Sequence, residues 1–381
     1  MPMANVLGGG NVIGNERRAA SRMTRTMEER ETLKHLRFLA VLTAIMLVAV
    51  ACTNEGGASP DTDESEAPGE SMAAASEAAG GPEAWPDELV MGFVPSQEAD
   101  QLVEDIDALT VALSEALSEL AGREISVEGV VPSDYTGLVT AMEAGQAHIG
   151  AFGPFSLLQA RDRAGAEIIL QSERFGSATY HTQFMTNNPD KYCDDEPVAD
   201  EDGFQNCNGT ADADTGPVAV DKIAEIEPGT TVSFTDQASA SGYIFPATVF
   251  INNGIDPESD IDPIFSGSHP NSVVAVCDGA AEVGVAFDDA RGGAETDCDV
   301  ASNVVVFAYG PEIPNDGWAV ASELPDDLKE AIKQALLDYA ATDEGKETLT
   351  AIYEIDNLVE ADLDSFTIVE DAARELGIEG D

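Results

Sequence analysis

Phe234-Thr235-Asp236-Gln237-Ala238-Ser239-Ala240-Ser241-Gly242-Tyr243-Ile244-Phe245-Pro246 places two serines and a glycine where a strand should end and a helix begin. Such a turn points free backbone N–H groups and hydroxyls at one spot, an arrangement suited to an oxyanion. The same serines have a plainer use. Ser239 or Ser241 as a simple N-cap would contribute about 1 kcal/mol. The surrounding chain sharpens the question, because its formal charge is -54. A protein so acidic repels anions at long range, so any anion it holds must meet short, directional donors.

The 381 residues suffice for about two domains, and a hydrophobic fraction of 43% is globular. The acidity excludes nucleic acid as a partner, since phosphate backbones require clustered Lys and Arg. Its simplest role is a solvated, soluble surface.

Lys34 and Arg37 precede an apolar run at 38–51 that ends Ala49-Val50-Ala51-Cys52. At about 14 residues the run is too short to span a bilayer and fits a signal h-region. Small residues before a cysteine resemble a bacterial lipobox, so residues 1–51 are expected to be a lipoprotein signal peptide and Cys52 the lipidated residue. The leader before Lys34 is long, and Met27 is an alternative start. Residues 52–86 are Gly-, Ala-, Ser- and acid-rich, the composition of a disordered tether. Of the five cysteines, Cys193, Cys207, Cys277 and Cys298 remain after Cys52. Proximity pairs them Cys193–Cys207 and Cys277–Cys298, which fits an oxidising compartment. No CxxC occurs, which argues against zinc or thioredoxin-type chemistry.

From residue 88 onward, strands and helices alternate, predicting an α/β fold with a parallel sheet. Asp134 is a good N-cap and Gly145 a good stop for the helix between them. Residues 188–216 interrupt the alternation and read as a disulfide-clipped insertion. The expected organisation is 87–187 for the first part of lobe 1, 188–310 for lobe 2 with its insertion, and 311–381 for a return to lobe 1 followed by helices. Ligands in such folds sit beyond strand ends, where helix N-termini point.

Catalytic templates are missing: there is no HExxH, GxSxG or P-loop. The candidates are therefore binding residues. Besides Ser239, Ala240, Ser241 and Gly242, they include His269 in Gly267-Ser268-His269-Pro270-Asn271, Tyr135 beside the Asp134 cap, Tyr180, Asp289 and Asp316. Read singly, the histidine could be merely solvated, the tyrosines could pack on the sheet, and the aspartates could be surface charges.

Taken in order, Gly92-Phe93-Val94-Pro95-Ser96, Asp134-Tyr135-Thr136-Gly137-Leu138, Gly153-Pro154-Phe155, the serine turn, Gly267-Ser268-His269 and Ile313-Pro314-Asn315-Asp316 resemble landmarks of one family. It comprises the substrate-binding proteins of phosphate/phosphite/phosphonate ABC importers, the PhnD-like family. The resemblance implies a two-lobed type II periplasmic-binding fold with a ligand cleft between lobes. It implies that Ser239, the Ala240 backbone, Ser241, Tyr135 and His269 hold the oxyanion, with Tyr180 as a second tyrosine. Asp289, or Asp288 beside it, and Asp316 fall where relatives place carboxylates for a ligand ammonium. Two departures stand out. Ala240 replaces the usual threonine, removing a hydroxyl whose loss costs about 1–3 kcal/mol where its partner stays unpaired. His148 stands where an acid is common, at a strand end expected to lie outside the site.

The resulting expectation is an extracytoplasmic, membrane-anchored, monomeric solute-binding lipoprotein that passes a phosphonate, phosphite or phosphate to an ABC permease. No cofactor or metal is called for, and the oxyanion site is expected to need no Lys or Arg. A sensory lipoprotein of the same fold is the alternative. An enzyme using Asp289 or Asp316 as a base is the least favoured.

Overall fold

The computed structural model describes residues 81–97, 99–213 and 215–378. The expected signal peptide, Cys52 and most of the tether lie outside the described residues. Among the described residues, no helix is long and apolar enough to cross a membrane.

The chain opens with β1 (Glu88–Phe93), β2 (Ser126–Val130), β3 (Ile149–Phe152) and β4 (Glu167–Glu173). The helix Ala99–Ala121 links the first two strands. It presents Leu102, Ile106, Leu109, Leu113 and Leu117 as one buried stripe, the spacing of an amphipathic helix on a sheet. Gly122, at φ +67°, ends it in the left-handed conformation that glycine adopts without penalty.

The chain then crosses into a second sheet formed by β5 (Thr179–Thr186), β6 (Val198–Ala199), β7 (Gln205–Asn206), β8 (Thr231–Phe234), β9 (Asp262–Phe265), β10 (Val283–Phe287) and β11 (Val305–Pro314). It returns through β12 (Gly317–Val320) and β13 (Asn357–Glu360). The orders are β13-β4-β12-β3-β1-β2 and β6-β7-β11-β5-β10-β8-β9. Each sheet with its helices is one lobe.

Both sheets are mixed rather than parallel as predicted. β5 carries the chain outward and β11 carries it back, so the two pair antiparallel. β12 likewise runs against β3 and β4. β5 and β12 each enter their sheet straight from the other lobe, with no crossover helix to bring them in parallel to their neighbours. The lobe boundary also moves. The chain changes sheets between Glu173 and Thr179, so the strand expected in lobe 1 belongs to the second sheet. The two crossovers lie side by side: Ser172 N–H donates to Asp316 O at 2.9 Å, and Asn315 N–H donates to Ala178 O at 2.8 Å.

Buried aromatics anchor each lobe. Trp318 meets Phe93 edge-on at 6.2 Å and donates its indole N–H to Ser172 Oγ at 3.1 Å. In the second lobe Phe307 stacks on Tyr192 at 4.9 Å, and Phe234 packs against Phe250 at 5.9 Å. Each such burial contributes about 1.5–3 kcal/mol.

The insertion is not a free loop. β6 and β7 extend the second sheet beside β11. The disulfides are Cys193–Cys207 and Cys277–Cys298, as proximity predicted. Inside this edge Arg291 donates to Asp289 and to Asp200 of the insertion, and to the carbonyl of Gln205, with Phe204 against its guanidinium.

Candidate functional site

The decisive segment folds as a strand, a cap and a π turn. Ser239 Oγ accepts from Gly242 N at 3.1 Å, capping the five-residue turn Ala240–Ile244, which runs into the helix Phe245–Asn252. Pro246 explains the local geometry. It has no N–H to return to the preceding turn, and the chain changes there from a π turn to an α-helix, so two carbonyls need other donors. Ser241 O takes the Thr182 hydroxyl at 3.0 Å, and Gly242 O takes Thr235 N–H at 3.2 Å. Gly242 is the residue this packing allows, because a Cβ there would overlap Thr235 Oγ1.

Three further segments meet this turn. Asp134 accepts from Gly137 N at 2.7 Å and starts the helix Tyr135–Glu143 with a buried tyrosine. Gly153 is the N-cap of Pro154–Ala164. Ser268 caps His269–Cys277 by accepting from Asn271 N at 3.3 Å. Four helical N-terminal ends thus border one cavity, lined also by Val94, Ser96, Gln97, Arg174, Tyr180, Phe287 and Asp316. Each such end contributes positive potential and unpaired N–H groups.

His269 is held in one tautomer. Its Nδ1 accepts from Phe287 N at 3.0 Å, so in the neutral ring the proton sits on Nε2. Nε2 lies 3.4 Å from Ser239 Oγ. Burial, with the Arg174 charge adding to it, pushes the imidazole down to about 3. The ring therefore stays neutral at physiological pH and offers one N–H to the cavity.

The tyrosines are also neutral donors. Burial, then the charges of Asp316 and Asp236, holds the Tyr135 phenol well above its ordinary range, and its hydroxyl bonds Ser239. Tyr180 is raised chiefly by burial and is hydrogen-bonded by the side chain and backbone of Ser241. The lobes touch here. Tyr135 N–H reaches Asp236 Oδ2 at 3.4 Å, and His269 N–H donates to Ser96 O at 3.1 Å.

The cavity between them is about 20 Å³, little more than the roughly 10–15 Å³ one water needs. The described arrangement is thus nearly shut. A larger adjoining space of about 520 Å³ shares Arg174, Tyr180 and Phe287, and is walled by His181, Asp288, Glu312 and Glu354. Another, of about 480 Å³ around Tyr243 and Ile255, contains none of the converging donors.

The structure brings together Tyr135, Tyr180, Ser239, Ala240, Ser241, His269 and Asp316, with Gly242 behind them as the capped N–H. It does not bring Asp289. That carboxylate accepts from Arg291 Nε and Nη2, at 2.9 and 2.7 Å. Its neighbour Asp288 instead borders the adjoining space, accepting from Tyr309 Oη at 3.2 Å, with His181 Nε2 3.1 Å away. Asp316 is in the wall but ion-paired with Arg174. The expectation of a site without basic residues is therefore corrected. Arg174 was missed because only the crossover from β4 to β5 carries it into the cleft. His148 accepts from Val90 N at 3.0 Å, away from the cavity.

Residues 91–366 match the family model described as the periplasmic substrate-binding protein of phosphonate ABC transporters. The chain belongs to that family. It is 28% identical over 218 residues to the phosphate-import protein PhnD of Mycolicibacterium smegmatis, a match covering 54% of this chain and 57% of that protein. The fold is that of type II periplasmic binding proteins. A binding-protein component of an ABC phosphonate transporter from Pseudomonas aeruginosa aligns with a TM-score of 0.60 at 20% identity, over 76% of this chain and 85% of that one. PhnD1 from Prochlorococcus marinus, solved with methylphosphonate, aligns with a TM-score of 0.62 at 18% identity, over 78% and 100%.

Proposed function

We propose that the chain is the extracytoplasmic binding component of an ABC importer, closing its lobes on a phosphonate, phosphite or phosphate and passing it to a permease. The observation that carries this reading is the convergence of two serines, two neutral tyrosines and the Nε2–H of His269 on one cavity bordered by helical N-termini. Such preorganised donors suit a tetrahedral oxyanion. Family membership supports both the oxyanion class and the transporter partner.

The small cavity makes opening and closing part of binding. Ser239 carries both roles weighed from the sequence: its oxygen caps Gly242 while its hydroxyl faces the cavity. Calorimetric titration with inorganic phosphate, phosphite and methylphosphonate tests the reading. One-to-one binding, millimolar or tighter, is expected for at least one, and no heat with any would overturn it. Cys52 is proposed as the lipid anchor, on its lipobox-like context. Cys52→Ala should move the protein from the membrane to the soluble fraction, and unchanged membrane association would refute the anchor.

A further inference from the structure

Arg174 and Asp316 occupy the two crossovers between the lobes, and their side chains form a buried ion pair. Stability alone is a poor reason for such a pair, because well-packed apolar replacements are often as stable or more so. A guanidinium carries five N–H donors. Asp316 takes one at Nη2, while Nε is buried without a partner among the described residues. A buried charged donor left unpaired is costly and calls for an explanation. Its surroundings supply one. Arg174 lines the oxyanion cavity and the adjoining space alike, and its Cζ lies 5.7 Å from the centre of the Tyr180 ring.

Resting on the function proposed above, we infer that Arg174 is a ligand-binding residue. It gives the oxyanion a charge-assisted hydrogen bond from the one cationic side chain in the cavity wall among the described residues. Asp316 is then the arginine's partner rather than the receptor for a ligand ammonium. The planar fork of a guanidinium also favours ligands with two free oxygens on one tetrahedral centre. Contact with Arg174 would join the ligand to the segment linking the lobes, and so couple binding to their closure.

The test is calorimetry with inorganic phosphate and methylphosphonate on the wild-type chain, Arg174→Gln, Asp316→Asn and the double variant, each checked for folding by thermal melting. Arg174→Gln is expected to bind about 10- to 150-fold more weakly, the usual range for a hydrogen bond to a charged group. Asp316→Asn should bind at least as tightly as wild type, since it keeps an acceptor for Arg174 and removes a negative charge. The double variant should stay as weak as Arg174→Gln. Wild-type affinity in a folded Arg174→Gln would overturn the assignment. So would recovery in the double variant, which would reduce Arg174 to a neutraliser of Asp316. If Arg174→Gln does not fold, the charge-free double variant decides. A wild-type chain that binds neither anion would overturn the proposed function instead.

Discussion

Arg291 and Arg174 are both buried and both paired with aspartate, yet their settings differ. Arg291 is surrounded: Asp289 takes two of its N–H directions, Asp200 and Asn206 face Nη2, and the carbonyl of Gln205 takes Nη1 at 2.7 Å. Arg174 has Asp316 on one side and a cavity on the other, with Nε unpaired among the described residues. The first is a closed node that fastens the insertion to lobe 2. The second keeps hydrogen-bonding capacity in reserve beside the cleft. What separates a structural arginine from a binding one here is how many of its N–H groups the fold already uses.

The comparison can be broken by experiment. The largest effect is expected at Arg291. Arg291→Met leaves Asp289 and Asp200 without their cation, and breaking such a buried network costs about 3–5 kcal/mol. Denaturant unfolding should register that loss, while the folded fraction binds oxyanion as wild type does. Weakened binding by folded Arg291→Met would erase the distinction between the two arginines.

The serine pair comes next. Ser239→Ala with Ser241→Ala removes two neutral donors and should weaken oxyanion binding by about 2 kcal/mol, near thirtyfold. Loss of the Ser239 cap should lower stability by about 1 kcal/mol as well. Unchanged affinity in the folded variant would leave the serines as caps alone.

His269 supplies an effect that is small at pH 7 and grows as the pH falls. Its folded pKa of about 3 lies below the ordinary 6.5, so the unfolded chain binds more protons between those values. Its contribution is complete above about pH 6.5 and is lost progressively as pH falls toward 3. Near pH 5 the loss approaches about 2 kcal/mol. Wild type should therefore lose more stability than His269→Asn between pH 7 and 5. Parallel profiles would refute the buried neutral imidazole.

Local features were legible in the sequence, and long-range ones were not. The Asp134 cap and the serine turn depend on neighbours within a few residues. The site as a whole does not. Arg174 and Asp316 lie 142 residues apart and meet only because both crossovers pass beneath the cleft. β12 and β13 are not legible locally, because each is four residues long and takes its place from strands distant in sequence. Asp289 aligned near the expected position, but Arg291, two residues on, captured it. In a chain carrying 72 acidic residues, composition cannot tell which carboxylates a guanidinium has already taken.

A crystal structure of the protein soaked or grown with methylphosphonate tests the central claim most directly. The phosphonate oxygens are expected within hydrogen-bonding distance of Ser239 Oγ, Ser241 Oγ, the Ala240 N–H and His269 Nε2, with the lobes closed over them. A ligand seated elsewhere, such as the space around Tyr243 and Ile255, with the serine turn unoccupied, would contradict the account.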